Sequence, residues 1–230
     1  MPPYLLRTHV HACLSGGQLV LLDLRADRYF ALEAAEAAAL APLVRGWPVS
    51  AADAAGGDET MARELLERSL LTQNESAGKP ATPVVIESVA TELTVDGGVP
   101  HLGARRIAAA LVATARAAIV LRCWSLVRIV RRVSRRKSLY HGTGSSSLER
   151  TRDLTMAFEY LRPFLYSPRD ACLFDCLTLT EFLAMHGVFP TWVFGVRAKP
   201  FAAHCWLQHE GVLLNDSVVR TGSFTPIMTV

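Results

Sequence analysis

Residues 172–187 read CLFDCLTLTEFLAMHG, and residues 195–217 read GVRAKPFAAHCWLQHEGVLLNDS. In the first run Leu173, Leu177, Phe182 and Leu183 fall near helical spacing and Gly187 suits a helix end, which predicts a helix opening near Asp170 or Cys172. In the second, apolar and polar residues alternate on both sides of Glu210-Gly211, which predicts two antiparallel strands joined by a tight turn. TWVFGVR at 191–197 predicts one strand more.

This order carries chemistry. A thiol at a helix start meets unpaired backbone N–H groups and the positive end of the macrodipole, both of which favour the thiolate. The thiolate needs an imidazole to share its proton, and the imidazole needs a carboxylate or amide to fix its tautomer and ring orientation. Cys172 occupies the helix start, and with the turn at 210–211 His204 and Asp216 fall at roughly mirrored strand positions, within mutual reach. Cys172 is therefore the candidate nucleophile, His204 the base and Asp216 the residue that orients it, with the backbone N–H of Cys172 as an oxyanion donor.

Other readings of these residues stand beside that one. Cys176 lies one turn deeper in the helix, away from the dipole end, which favours Cys172. Cys172, Cys176 and Cys205 could instead be small buried hydrophobes. A zinc site could draw on Cys172, Cys176, His204, Cys205 and His209, but strand alternation turns His204 and Cys205 to opposite faces, so no metal is expected. Asp175 would oppose a thiolate if it faced one, and is expected to point outward. His186 reads as a cap at the helix C-terminus. Trp192 and Trp206 read as core, while Phe201 could equally line a cleft.

The two runs resemble the transglutaminase-like domain of lasso-peptide B proteins, the proteases that remove the leader from a ribosomally made precursor. Such proteins show a cysteine before a Leu-rich helix, a Gly-Val strand, a Pro-Phe-x-Ala-His-x-Trp segment and an Asn-Asp pair; here these are Cys172, Gly195-Val196, 200–206 and Asn215-Asp216. Cys176 departs from the pattern, where a serine is common. The resemblance implies Cys-His-Asp peptide hydrolysis, an asparagine-synthetase-like ATP-using cyclase as partner, and a PqqD-like winged-helix leader-recognition element at the N-terminus. In that element the leader adds as a strand beside the third strand and lies against the last helix, which implies Arg28, Tyr29, Phe30, Leu32, Leu65 and Arg68 as leader-binding residues. A catalytically idle adaptor, or an acyltransferase, would keep the same residues.

Outward from the site, the sequence predicts an α+β chain of two domains, 1–72 and 84–230, with 73–83 (QNESAGKPATP) as a linker too polar to bury itself. The first domain reads as a three-stranded meander over 5–32 and helical stretches over 33–41 and 59–71. The second opens with a possible strand at 84–95. It continues as one long helix from 104 to 137, free of Pro and Gly, then a flexible stretch at 142–147 and a helix from 148 to 161 that stops or kinks at Arg162-Pro163.

Half of the 230 residues are apolar and the formal charge is only +3, which offers no dense basic footprint for nucleic acid. Five cysteines form an odd set, and residues 1–25 lack the zones of a secretory signal, so a cytoplasmic protein with free thiols is expected. No nucleotide signature is present and no cofactor is expected. The apolar stretch 107–130 is interrupted by Arg116, Arg122 and Arg128, so a membrane span is not expected. Six basic residues between Arg128 and Lys137 read as a solvated helix end, or else as a basic amphipathic helix resting on an acidic surface or partner.

Overall fold

The computed structural model describes residues 3–49, 57–93, 100–140, 147–167 and 172–230. Asp170, Gly56 and most of the stretch 142–147 lie outside these. The chain divides into two units, one of 1–85 with 195–203 and 224–228, the other of 86–194 with 204–223 and 229–230.

In the first unit the expected meander is β2 (Val10–Ser15), β3 (Gln18–Asp23) and β4 (Arg28–Leu32), paired in that order with Val10 opposite Asp23 and Leu19 opposite Leu32. The run before it does not join the meander. A turn at 8–9 frees β1 (Leu5–Arg7), which lies between β5 (Leu71–Thr72) and β6 (Gly78–Lys79) in a separate three-stranded sheet. Residues 73–83, expected as a linker, therefore contribute a strand, and Ala81 is buried. Their backbone finds partners on β1, which compensates for their scarcity of apolar side chains.

Two helices, α1 (Ala34–Leu40) and α2 (Glu59–Glu67), cover the apolar core that includes Leu6, Leu19, Leu21, Leu40, Trp47 and Leu65. Asp58 caps α2 by accepting from the Thr60 and Met61 N–H groups. The helix was expected to run to 71, but Ser69 takes a positive φ of 59° and the chain turns into β5. A short 3-10 turn at Glu75–Ala77 follows before β6.

The second unit is built around α6 (Cys172–Met185), whose residues from 175 to 184 are all buried. A helix apolar on every side needs cover on every side. α3 (Ala104–Cys123) and α5 (Leu148–Leu165) supply part of it, α3 by setting the small side chains Ala110, Ala113 and Ala117 inward so that the helix axes approach closely. The five-stranded sheet, in order β11 (Thr225–Thr229), β8 (Thr191–Arg197), β9 (Ala202–His209), β10 (Val212–Leu213), β7 (Thr91–Glu92), carries the rest of the candidate site. Of the strand expected at 84–95, the described residues 84–93 form a strand only at Thr91–Glu92, β7, parallel to β10.

The single helix expected from 104 to 137 is broken. Trp124 adopts extended angles, and a second helix, α4, runs Leu126–Tyr140. Continued straight, the inward stripe of Ala110, Ala113, Ala117 and Val120 would point Leu126, Ile129 and Val133 at solvent; the break turns all three inward. It also brings Arg132 and Arg136 to the buried Glu181 of α6 at 3.1 and 3.0 Å. The following helix, α5, does not stop at Arg162-Pro163 but continues to Leu165 with the proline inside. Among the described residues, no helix is long and apolar enough to cross a membrane.

Candidate active site

Cys172 is the first residue of α6, partly exposed, and its thiol hydrogen-bonds His204 of β9. On the far side of the ring, His204 Nε2 makes a short hydrogen bond to Asp216 Oδ2. Nδ1 is thereby left for the sulfur. The hairpin fixes this geometry: Glu210 and Gly211 have φ of 48° and 74°, the left-handed pair a two-residue turn demands, and Val212 sits opposite His209. The pairing ends at Leu213, and Asp216 lies beyond β10 in a bend that brings its carboxylate to His204. Its other oxygen accepts the Ser217 N–H at 2.8 Å, which holds the carboxylate in place.

Burial disfavours a charged His204, but hydrogen bonds and charge from Asp216 and Cys172 outweigh it and lift the imidazole from 6.5 to about 9. The Cys172 thiol is pushed up to about 12 by a side-chain hydrogen bond with Cys205 and by burial, with His204 pulling the other way. The helix start was expected to favour a thiolate. Cys205 is the group that opposes it, and strand alternation hid it by implying that Cys205 faced away.

The other site residues are placed as follows. Cys176 is fully buried, donates to the Cys205 carbonyl at 3.3 Å and accepts from Asn215 at 3.3 Å, so it is closed to a substrate. Trp192 and Trp206 are core. Phe201 is 55 % exposed, with its ring 5.5 Å from that of Tyr29. His186 binds the Phe182 carbonyl at the end of α6. Among the described residues, no group of three or more His, Cys, Asp or Glu is arranged to hold a metal ion.

Asp175 contradicts its expected outward orientation. It is buried, and accepts from Tyr166 Oη at 2.8 Å, Arg162 Nη1 at 3.3 Å and Asn215 Nδ2 at 2.8 Å. Burial, together with Asp175, drives the Tyr166 phenol well above its usual range, so it remains a donor. Burial likewise raises Glu159, paired to Arg162 at 2.7 Å, to about 7. A network of this kind was signalled by a single fact: an aspartate in a helix buried on all sides must be given partners.

Of the residues implied in leader binding, Arg28, Tyr29, Phe30 and Leu32 lie on β4, the outer strand of its sheet. Arg28 is exposed, whereas Phe30 and Leu32 pack on the core. Leu65 belongs to the core and is 6 % exposed, which leaves it little surface for a ligand. Arg68 is exposed and pairs with Glu64 at 2.6 Å.

A cysteine at a helix start, a histidine on the adjoining sheet and an aspartate behind it are arranged as in thiol acyl-transfer enzymes. The family model of the transglutaminase-like superfamily matches residues 109–229, which include all three and more than half of the chain. The chain belongs to that superfamily. Comparison with curated proteins and with solved structures finds no match. Membership supports a coarse function of the peptidase or transglutaminase type.

Proposed function

We propose that this transglutaminase-like chain is a cysteine peptidase that binds the leader of a ribosomally made precursor and removes it, in the manner of lasso-peptide B proteins. The observation that carries the reading is the Cys172–His204–Asp216 alignment. In the proposed cycle, which starts from the form with a neutral His204, Cys172 gives its proton to His204 and its sulfur attacks the scissile carbonyl. The tetrahedral oxyanion collapses, the leaving amine takes the proton from His204 Nδ1, and a thioester to the leader remains. Water then gives a proton back to His204, attacks the thioester, and releases a leader carboxylate with the thiol restored. Asp216 keeps the ring in one orientation throughout and stabilises its charged form.

The outer edge of β4 is the proposed place for the leader, since an unpaired strand edge offers main-chain hydrogen bonds to an extended peptide. Holding the leader there raises the local concentration of the scissile bond. The freed core peptide would pass to an asparagine-synthetase-like cyclase.

The high affinity of the Cys172 thiol for its proton favours a second reading, a peptide-binding adaptor with an idle site. One experiment separates these. The protein is incubated with a leader-bearing precursor and the products are weighed by mass spectrometry. The peptidase reading requires a free leader carboxylate that disappears in Cys172→Ala; transfer to an added amine gives a leader amide instead. Trimming that persists in Cys172→Ala refutes the thiol mechanism.

A further inference from the structure

α3 is inverted. Its inward stripe is made of the small residues Ala110, Ala113 and Ala117 with Val120, whereas its larger apolar side chains face solvent: Leu111 is 54 % exposed and Ile119 61 %, with Ile107 and Val112 also exposed. An ordinary surface helix has the reverse pattern. The stripe from 107 to 119 is about 18 Å long. Exposed Arg105, Arg116 and Arg122 flank it, and exposed Trp124 ends it with the Arg132 guanidinium 5.5 Å from its ring. The outward face of α4 adds the exposed Arg128, Arg131 and Arg135. From 101 to 140 there are ten Lys and Arg residues and no Asp or Glu.

A solvated helix end, the reading expected for the basic run, accounts for the arginines but leaves the apolar stripe without a role. A second copy of the same face would set arginine against arginine with no acid between them. We propose that α3 lies in the headgroup layer of an anionic lipid bilayer, with Leu111 and Ile119 inserted beneath the phosphates and the flanking arginines bound to them. Arg106 is taken up by Asp153 of α5, but the exposed arginines that flank the stripe are of one sign, which matches a bilayer of acidic lipid, and a stripe of aliphatic residues ending in tryptophan suits the boundary between headgroups and acyl chains. The proposal does not depend on the reading of the thiol site.

The test uses the full chain with vesicles of phosphatidylcholine alone or with phosphatidylglycerol added. Binding to the anionic vesicles is expected to exceed that to neutral ones by about tenfold or more, and to weaken with salt. Trp124 reports directly, because Trp47, Trp192 and Trp206 are already buried: its emission should shift to the blue and escape acrylamide quenching on the anionic vesicles. Leu111→Ser with Ile119→Ser should abolish the binding, and Arg116→Gln with Arg122→Gln, which leaves the helix packing intact, should weaken it by about tenfold. Failure to bind anionic vesicles, binding without a change at Trp124, or binding retained in both double variants would overturn the proposal. Protection of the stripe by an acidic protein in place of lipid would overturn it as well.

Discussion

Asn215 Nδ2 donates to Asp175 Oδ2 at 2.8 Å while Asn215 Oδ1 accepts the Leu207 N–H at 2.9 Å, so one amide joins α6 to the hairpin segment that carries His204 and Asp216. The spacing between thiol and base therefore depends on a side chain that touches neither. Replacing Asn215 by Ala leaves the Leu207 N–H without this partner and Asp175 Oδ2 with the long 3.5 Å bond from Arg162, at a cost of about 1–3 kcal/mol. Asp175→Ala should cost about 3 kcal/mol, because Arg162 loses a buried partner. Thermal unfolding checks both. Alkylation of Cys172 in the folded Asn215→Ala protein should also lose its dependence on His204, a change that loss of stability alone would not produce.

The proton on Cys172 is held by Cys205 and by burial, so iodoacetamide should label Cys172 slowly at neutral pH and faster as the solution becomes alkaline. Cys205→Ala removes the leading cause and should speed labelling at pH 7 by about tenfold, since each unit of pKa is a factor of ten in thiolate. His204→Ala removes the opposing pull and should slow it. Peptide mass mapping reads all three; equal rates in wild type and Cys205→Ala would remove Cys205 from the account.

His204 in the folded chain holds its proton up to about 9, above its usual 6.5. A raised imidazole stabilises the fold fully below about 6.5, and the contribution is lost as the pH climbs through about 9. The melting temperature should therefore fall between pH 7 and 10. In Asp216→Asn the chief supporting partner is weakened, so this part of the slope should shrink. A slope identical to wild type would show that Asp216 does not hold the imidazole.

Gly78 tests the segment that composition marks as loose. A Cβ there would stand 2.7 Å from Leu5 Cβ and 2.8 Å from Thr72 Cγ2. Gly78→Ala should destabilise the first unit by about 1–3 kcal/mol. Unchanged melting would mean that 73–83 behaves as a linker in solution.

Much of the site was legible from local pattern. The helix at 172, the hairpin turn at 210–211 and the reach of Asp216 to His204 depend on period and turn chemistry, both of which are local. What stayed hidden depended on distant partners. Asp175 is satisfied by Tyr166 and Arg162 of one segment and Asn215 of another. The break at Trp124 follows from where Leu126, Ile129 and Val133 must bury, and a propensity scan for Pro and Gly does not register that. Likewise β6 exists because β1 offers it hydrogen bonds, whatever its own composition.

The position of β1 also sets an order of events. Arg7 pairs with Gly78 and Leu5 with Thr72, so β1 has neither strand neighbour until some seventy more residues have been synthesised. During translation the β2–β3–β4 meander can close early from local contacts, while the sheet beside it waits for residue 79 to clear the ribosome. A nascent chain that pauses before that point exposes the apolar pair Leu5-Leu6 on an unpaired strand, and a chaperone that shields extended segments would find its binding site there.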